Sequence, residues 1–202
     1  MTAKIKLNAA SGGGSFSLQA PSSSANTRVM TLPDTADGTI LTTTNPKAGN
    51  IIQVKQTVKT DTFSMTGTTY TAITGLTVSI TPSSASNKLL ITFNLYGGVS
   101  AADNTGLFLL TKDGSTISGA IGSASGNNQE SATARIRQSS AAHTQMPAFS
   151  YLDTAGDTNA RTYGIKCKTE SGTLRIGITG NNVDTAFHAR CPNVITVMEV
   201  AA

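Results

Sequence analysis

The sequence has no tryptophan and only two cysteines, and just 5% of its residues are aromatic and 13% charged. Each shortage excludes something. Cys167 and Cys191 are too few for the disulfide framework of a small secreted domain, and their spacing fits no CxxC zinc or redox motif. Both are expected as free, half-buried thiols. A net charge of +4 on scattered Lys and Arg residues argues against a nucleic-acid partner, which needs a clustered basic face. Low charge beside 38% hydrophobic residues also argues against the disordered class. No apolar run approaches the roughly 20 residues of a membrane helix, so no membrane insertion is expected. The opening stretch MTAKIKLNAASGGG carries Lys4 and Lys6, but no apolar stretch of about 7 to 15 residues follows, and a secretory signal is not expected. None of the 13 asparagines begins an Asn-x-Ser/Thr sequon, which disfavours a eukaryotic secreted origin.

What the chain does contain is hydroxyl groups: 21 Ser and 32 Thr, about a quarter of all residues, together with 19 Gly. Threonine favours strands, and long Ala/Leu/Glu/Lys runs that would build a helix bundle are missing. An all-β chain follows. From residue 50 the strand signals become regular. IIQVKQTVK alternates Ile52, Val54 and Val58 with polar residues, YTAITGLTVSITP places Leu76, Val78 and Ile80 on one face, and KLLITFNLYG places Leu89, Ile91, Phe93 and Leu95 on one side. Lys112-Asp113-Gly114-Ser115 is a strong hairpin signal, because Asp-Gly supplies the positive φ that a two-residue turn requires. ATARIRQS, MPAFSYLDT, ARTYGIKCK, TLRIGIT and NVITVMEV complete about nine strands, and the polar stretch 121–133 is expected as an exposed loop. Even spacing of this kind predicts an antiparallel β-sandwich. A jelly roll suits the length better than an immunoglobulin domain, whose Cys, Trp, Cys pattern is missing.

Residues 1–49 differ. Phe16 and Leu18, then Val29, Met30 and Leu32, lie in short apolar pieces separated by SGGG, SSSANT and DTADG. A ribbon of strand-length pieces cannot bury its own core. Ordering a backbone residue costs about 1 to 2 kcal/mol, and the few large apolar groups offset that only when other chains cover them. Residues 1–49 are therefore expected to attach the protein to a particle or shaft, with Phe16, Leu18, Val29, Leu32, Ile40 and Leu41 as the anchoring side chains, and residues 50–202 to form the head.

Chemistry motifs are sparse. GSASG at residues 122–126 places Ala124 where a nucleophile elbow needs Ser, so the hydrolase signature fails. His143 and His188 lie among many serines, which makes a Ser/His pair easy to imagine and uninformative. Glu130, Asp153, Asp157, Glu170 and Glu199 offer no evident carboxylate pair for glycoside hydrolysis. No enzymatic activity, cofactor or resident metal is expected. Asp153 and Asp157 in LDTAGDTN suit either an oxygen-ligand cation loop or, preferably, an Asx turn. Gly12, Gly13 and Gly14 follow no strong strand and are expected as a flexible joint rather than a phosphate cradle. Lys4 with Lys6, Arg135 with Arg137 and Lys166 with Lys168 each project from one strand face, where they suit either solvent or anionic sugars and phosphates. Phe93, Tyr96, Phe149, Tyr151 and Tyr163 are core candidates, or interface anchors if copies pack about a threefold axis.

Several runs together carry a resemblance: GLTVSITPSSASNKLLITFNL, LFLLTKDGSTI, SYLDTAGDTNARTYGIKCKTESGTLRIG and the ending NVITVMEVA. In this order they resemble the C-terminal head of marine and cyanobacterial bacteriophage tail-fibre and virion structural proteins. SFSLQAPSSSANTRVMTLPDTADGTILTT resembles the short N-terminal module that links such heads to the particle. The likeness spans nearly the whole chain and rests on turn and strand patterns, so it carries over no receptor-binding residues. It implies a head similar to the C1q and tumour-necrosis-factor jelly rolls, and hence a homotrimer with Phe149, Tyr151 and Tyr163 as candidate facing residues. It also implies a location in the virion, contacts with other virion proteins of tail or capsid, and adhesion to a host-surface glycan. A capsid decoration protein, with the same leader lying over capsid subunits, is the alternative.

Overall fold

The computed structural model describes residues 4–19, 22–27, 29, 46–126 and 132–202. The chain divides into two compact units, Met1–Ile40 and Leu41–Ala202. In the first, β1 (Lys4–Asn8) and β2 (Ser15–Gln19) form an antiparallel ribbon, with Lys4 opposite Gln19 and Asn8 opposite Ser15. Gly12 and Gly13 take φ of 81° and 71° in the connection, the left-handed conformation that glycine adopts without strain. The glycine run expected as a joint is thus the turn of a hairpin. Ile5 and Leu7 are exposed on this ribbon.

The second unit is a sandwich. Its main strands are β3 (Ile51–Lys59), β5 (Thr71–Ile80), β6 (Lys88–Asn94), β8 (Thr105–Lys112), β10 (Ala134–Arg137), β11 (Ala148–Thr154), β12 (Arg161–Thr169) and β14 (Asn193–Val200). Between them lie the short strands β4 (Phe63–Thr66), β7 (Gly97–Val99), β9 (Ser115–Thr116) and β13 (Thr173–Ile176). One sheet runs β11-β6-β14-β3 and the other β10-β8-β12-β5. The pairing rule is simple: of the eight main strands the first pairs with the last, the second with the seventh, the third with the sixth and the fourth with the fifth. That is a hairpin of strands rolled into two sheets, the jelly-roll wind. All these pairs are antiparallel, as the sequence predicts. A third small sheet, β4-β13-β7, adds to the main pair.

Local chemistry accounts for the details. At the β8–β9 hairpin Asp113 and Gly114 take φ of 50° and 78°, as an Asp-Gly turn requires. In β5 the inward set slips from Ile73 to Leu76 before resuming alternation at Val78 and Ile80. Gly75, with φ of 78°, lies in the bulge where β5 runs five residues, Thr77 back to Ala72, against the two from Gly164 to Lys166 of β12. The inward faces meet in one buried cluster that includes Leu89, Ile91 and Phe93 of β6, Phe108 and Leu110 of β8, Tyr163 and Ile165 of β12 and Ile195 and Val197 of β14.

Two inward carboxylates tie the elements together. Asp153 of β11 and Glu199 of β14 both lie in register with Leu89. Across the sandwich, Asp153 Oδ2 accepts from the Tyr163 hydroxyl at 2.6 Å and from Lys112 Nζ at 2.9 Å. Glu199, with no exposure, accepts from Gln53 Nε2 at 2.6 Å, Asn87 Nδ2 at 2.6 Å, Ser83 N at 2.7 Å and Ser83 Oγ at 2.8 Å. Every donor to Glu199 comes from β3 or the β5–β6 connection, so this carboxylate fixes the end of the last strand.

Candidate functional site

The two sheets present very different faces to the outside. On β11-β6-β14-β3 the outward residues line up in rows across the strands. Leu152 lies opposite Leu90, Leu90 opposite Met198, and Met198 opposite Val54, an apolar row spanning four strands and about 14 Å at roughly 4.8 Å per strand spacing. Leu152 is 55% exposed and Val54 54%. The next row is polar, Ser150, Thr92, Thr196 and Gln56, with Gln56 Nε2 donating to Thr196 Oγ1 at 3.0 Å. Beyond it Ala148, Asn94, Val194 and Val58 form a second, mixed row, and at the other end the row is Thr154, Lys88, Val200 and Ile51, also mixed. The apolar character of this face is thus concentrated in one row, exposed at its two ends and flanked by polar groups.

The outward face of the other sheet carries basic and hydroxyl groups around Leu107 and Leu109 of β8. Arg135 and Arg137 project from β10, Lys166 and Lys168 from β12, and Thr77 and Ser79 lie on β5. Lys168 is in register with Leu107, which is in register with Arg135. Two of the three basic pairs seen in the sequence therefore share one face. Lys166 Nζ donates to the Gly114 carbonyl at 2.6 Å, and Lys168 Nζ lies 4.7 Å from the centre of the Tyr70 ring.

The aromatic residues expected to face a neighbouring chain instead face inward. Tyr163 is fully buried in the core, and Phe149 and Tyr151 pack against that core, with the Phe93 and Phe149 rings 6.2 Å apart. The reason is parity: Phe149 and Tyr151 share a face of β11 with Asp153, whose partners lie across the sandwich. The opposite parity, Ala148, Ser150, Leu152 and Thr154, is the outward one. Of the leader anchors, Phe16 sits in β2 opposite Leu7, Leu18 is more than one-third exposed in the same strand, and Val29 is 87% exposed. Leu32, Ile40 and Leu41 lie outside the described residues.

The titratable groups are occupied by structural work. Asp157 Oδ1 accepts from Asn159 N at 2.8 Å and from Arg161 Nη2 at 2.5 Å, so the LDTAGDTN stretch is an Asx turn closed by an ion pair. Asp153 turns into the sandwich instead. No cluster of metal-ligating side chains occurs among the described residues. Burial works to raise the Asp153 carboxyl, but hydrogen bonds from Tyr163 and Lys112 outweigh it and hold the group below its ordinary range. Burial likewise opposes Glu199, and its donors Asn87, Gln53 and Ser83 more than compensate. Cys167 and Cys191 are both free, and burial pushes the Cys167 thiol up to about 12, far from a reactive thiolate. His188 Nδ1 lies 3.2 Å from the Val183 carbonyl, and His143 lines a polar groove on a different loop.

No family model matches the sequence, and no curated protein does. Among solved structures, one neighbour is a structure of infectious bursal disease virus, Gx strain, at 14% identity and a TM-score of 0.36. The alignment covers 96% of this chain, which spans about half the length of that structure. At this level of similarity the neighbour adds nothing to the topology already described. Among the described residues, no helix is long and apolar enough to cross a membrane.

Proposed function

We propose that this chain is a non-enzymatic structural component of a bacteriophage virion. In this role three copies of the jelly-roll head associate, the leader attaches them to the particle, and the remaining surface faces the host. The observation that carries the proposal is the apolar row Leu152, Leu90, Met198 and Val54 on the outside of the β11-β6-β14-β3 sheet, opposed by a face carrying basic and hydroxyl groups on the other sheet. A face of the first kind is stable when covered by another copy, and a face of the second kind is stable in water. The number three comes from the resemblance of the strand sequence to C1q-like phage heads. The leader supports attachment: a two-stranded ribbon with exposed Ile5 and Leu7 is marginal alone and gains by adding to a surface.

Particles carrying a version of the protein that lacks residues 1–42 test the arrangement. The expected result is a head that folds, accumulates free in the lysate and is missing from purified virions. Incorporation at the normal level would overturn the attachment role. Immunogold labelling of intact particles then separates the two placements, with label at the tail marking a fibre or spike and label over the capsid lattice marking a decoration protein.

A further inference from the structure

The β10–β11 connection and the turn before β8 border an open, shallow polar groove of about 500 Å³, lined by Asp103, Arg137, Gln138, Ser139, His143, Thr144 and Gln145. We infer that this groove binds an acidic saccharide, with Arg137 taking the carboxylate of a uronic acid unit and the neighbouring polar groups taking its ring hydroxyls. The inference deepens the adhesive part of the proposed function and rests on it.

The groove is built rather than accidental. Asp103 N donates to the Gln138 carbonyl at 2.8 Å, which ties the turn to the end of β10. Arg137 N donates to Gln145 Oε1 at 2.8 Å, and Gln145 exchanges backbone hydrogen bonds with Gly97 at 2.9 and 3.1 Å. Gly98 lets the backbone close up at this point, because a Cβ there would stand 2.8 Å from Gln138 Nε2, the His143 carbonyl and Gly180 N. The walls are thus held in place before any ligand arrives, which lowers the ordering cost of binding.

One lining group has an unmet need. Gln138 is only 4% exposed; its Nε2 donates to the Val99 carbonyl at 3.2 Å, but its buried Oε1 accepts no hydrogen bond. A buried acceptor left without a donor is rare in folded proteins and calls for an explanation. That oxygen is fully covered, so Gln138 belongs to the wall behind the groove, and a ligand meets the exposed lining groups instead. The cation is available: Arg137 pairs with Asp103 only at 3.8 Å, with both side chains more than half exposed, so its guanidinium keeps donors for a planar carboxylate.

The lining also says which sugar. Neutral sugars commonly stack on the rings of Trp, Tyr or Phe, and none of the seven lining residues is one of these. Affinity here must come from charge-assisted hydrogen bonds, which favour an acidic unit. Arg135, two residues before Arg137 on the same strand face, and Lys168, in the same row through Leu107, extend positive charge away from the groove along the sheet. An acidic polysaccharide crossing that face meets cations before its terminal or branch unit reaches the groove, and its encounter rate rises accordingly.

The test is saturation-transfer NMR and calorimetry on the full chain with a galacturonate trisaccharide, the corresponding neutral galactose trisaccharide, and inorganic phosphate. The uronate is expected to bind saturably and at least tenfold more tightly than either of the others. Arg137→Gln is expected to weaken it at least tenfold without moving the melting temperature, whereas Arg135→Gln, outside the groove, changes affinity by a small factor that vanishes in high salt. Equal binding of the neutral sugar, equal binding of phosphate, no uronate binding, or an Arg137→Gln variant that binds normally would each overturn the assignment. Adherence of the same proteins to host cells is scored in parallel. Adherence that survives Arg137→Gln removes the groove while leaving adhesion standing, and a wild-type protein that binds uronate but no cells removes adhesion while leaving the groove.

Discussion

Glu199→Ala is expected to lower the stability of the head by about 2 to 4 kcal/mol, a fall of roughly 5 to 15 °C in melting temperature for a domain of this size. The carboxylate is fully buried and satisfies four donors from Gln53, Ser83 and Asn87. Removing it strands those donors, and each buried unsatisfied group costs about 1 to 3 kcal/mol, reduced where water can reach it. Glu199→Gln keeps the volume but turns one acceptor into a donor among donors, so it should recover only part of the loss. The same carboxylate predicts a pH dependence. Its folded-state pKa lies below the ordinary 4.5, so its contribution is complete above 4.5 and is lost as pH falls through the lowered value. Asp153, lowered from 3.8, acts in the same direction: its contribution is complete above 3.8 and is lost as pH falls through its own lowered value. Thermal melts from neutral pH down into the acid range should therefore fall for the wild type and fall less for Glu199→Ala, which has already lost one of the two groups.

Leu152→Lys is expected to weaken association of the heads by about 100- to 3000-fold while leaving the protomer folded. The side chain is more than half exposed in the single chain, and surface changes of this kind usually alter stability by no more than about 0.5 kcal/mol. Once a second copy covers the row, an ammonium without a partner is left in a dry contact, at a cost of about 3 to 5 kcal/mol, and each 1.4 kcal/mol is tenfold in affinity. Val54→Lys, at the other end of the same row, should behave alike. Thr77→Lys on the basic face of the other sheet is the control and should leave association unchanged. Sedimentation velocity of the three variants at equal concentration checks the contrast.

Much of the architecture was legible in the sequence because strand alternation survives to the structure. Leu89, Ile91 and Phe93 were read as one face and are one buried face, and the Asp113-Gly114 turn sits where expected. The short strands β4 and β7 were missed, since FSMT and GGV are too brief or too rich in glycine to show a period. The proposed assembly face leaves a weaker signal in the sequence for a different reason. In KLLITFN apolar residues occupy both parities, and attention to Leu89 concealed Leu90, just as the aromatic parity of β11 concealed Leu152. A strand with apolar residues on both faces is the available signal, since a half-exposed strand has no need of the second set. The saccharide groove left no trace of this kind. Asp103 comes from the turn before β8 and Gln138 and His143 from the β10–β11 connection, and the two segments meet only because the jelly-roll wind brings them together.

Sedimentation equilibrium of the full 202-residue chain tests the central claim most directly. The apolar row on the outer face of the β11-β6-β14-β3 sheet predicts self-association, and the resemblance to C1q-like phage heads sets the expected species at three times the 20.7 kDa chain mass, converted to monomer by Leu152→Lys. A stable species of 20.7 kDa across the accessible concentration range, with Leu152 and Val54 left in water, would contradict it.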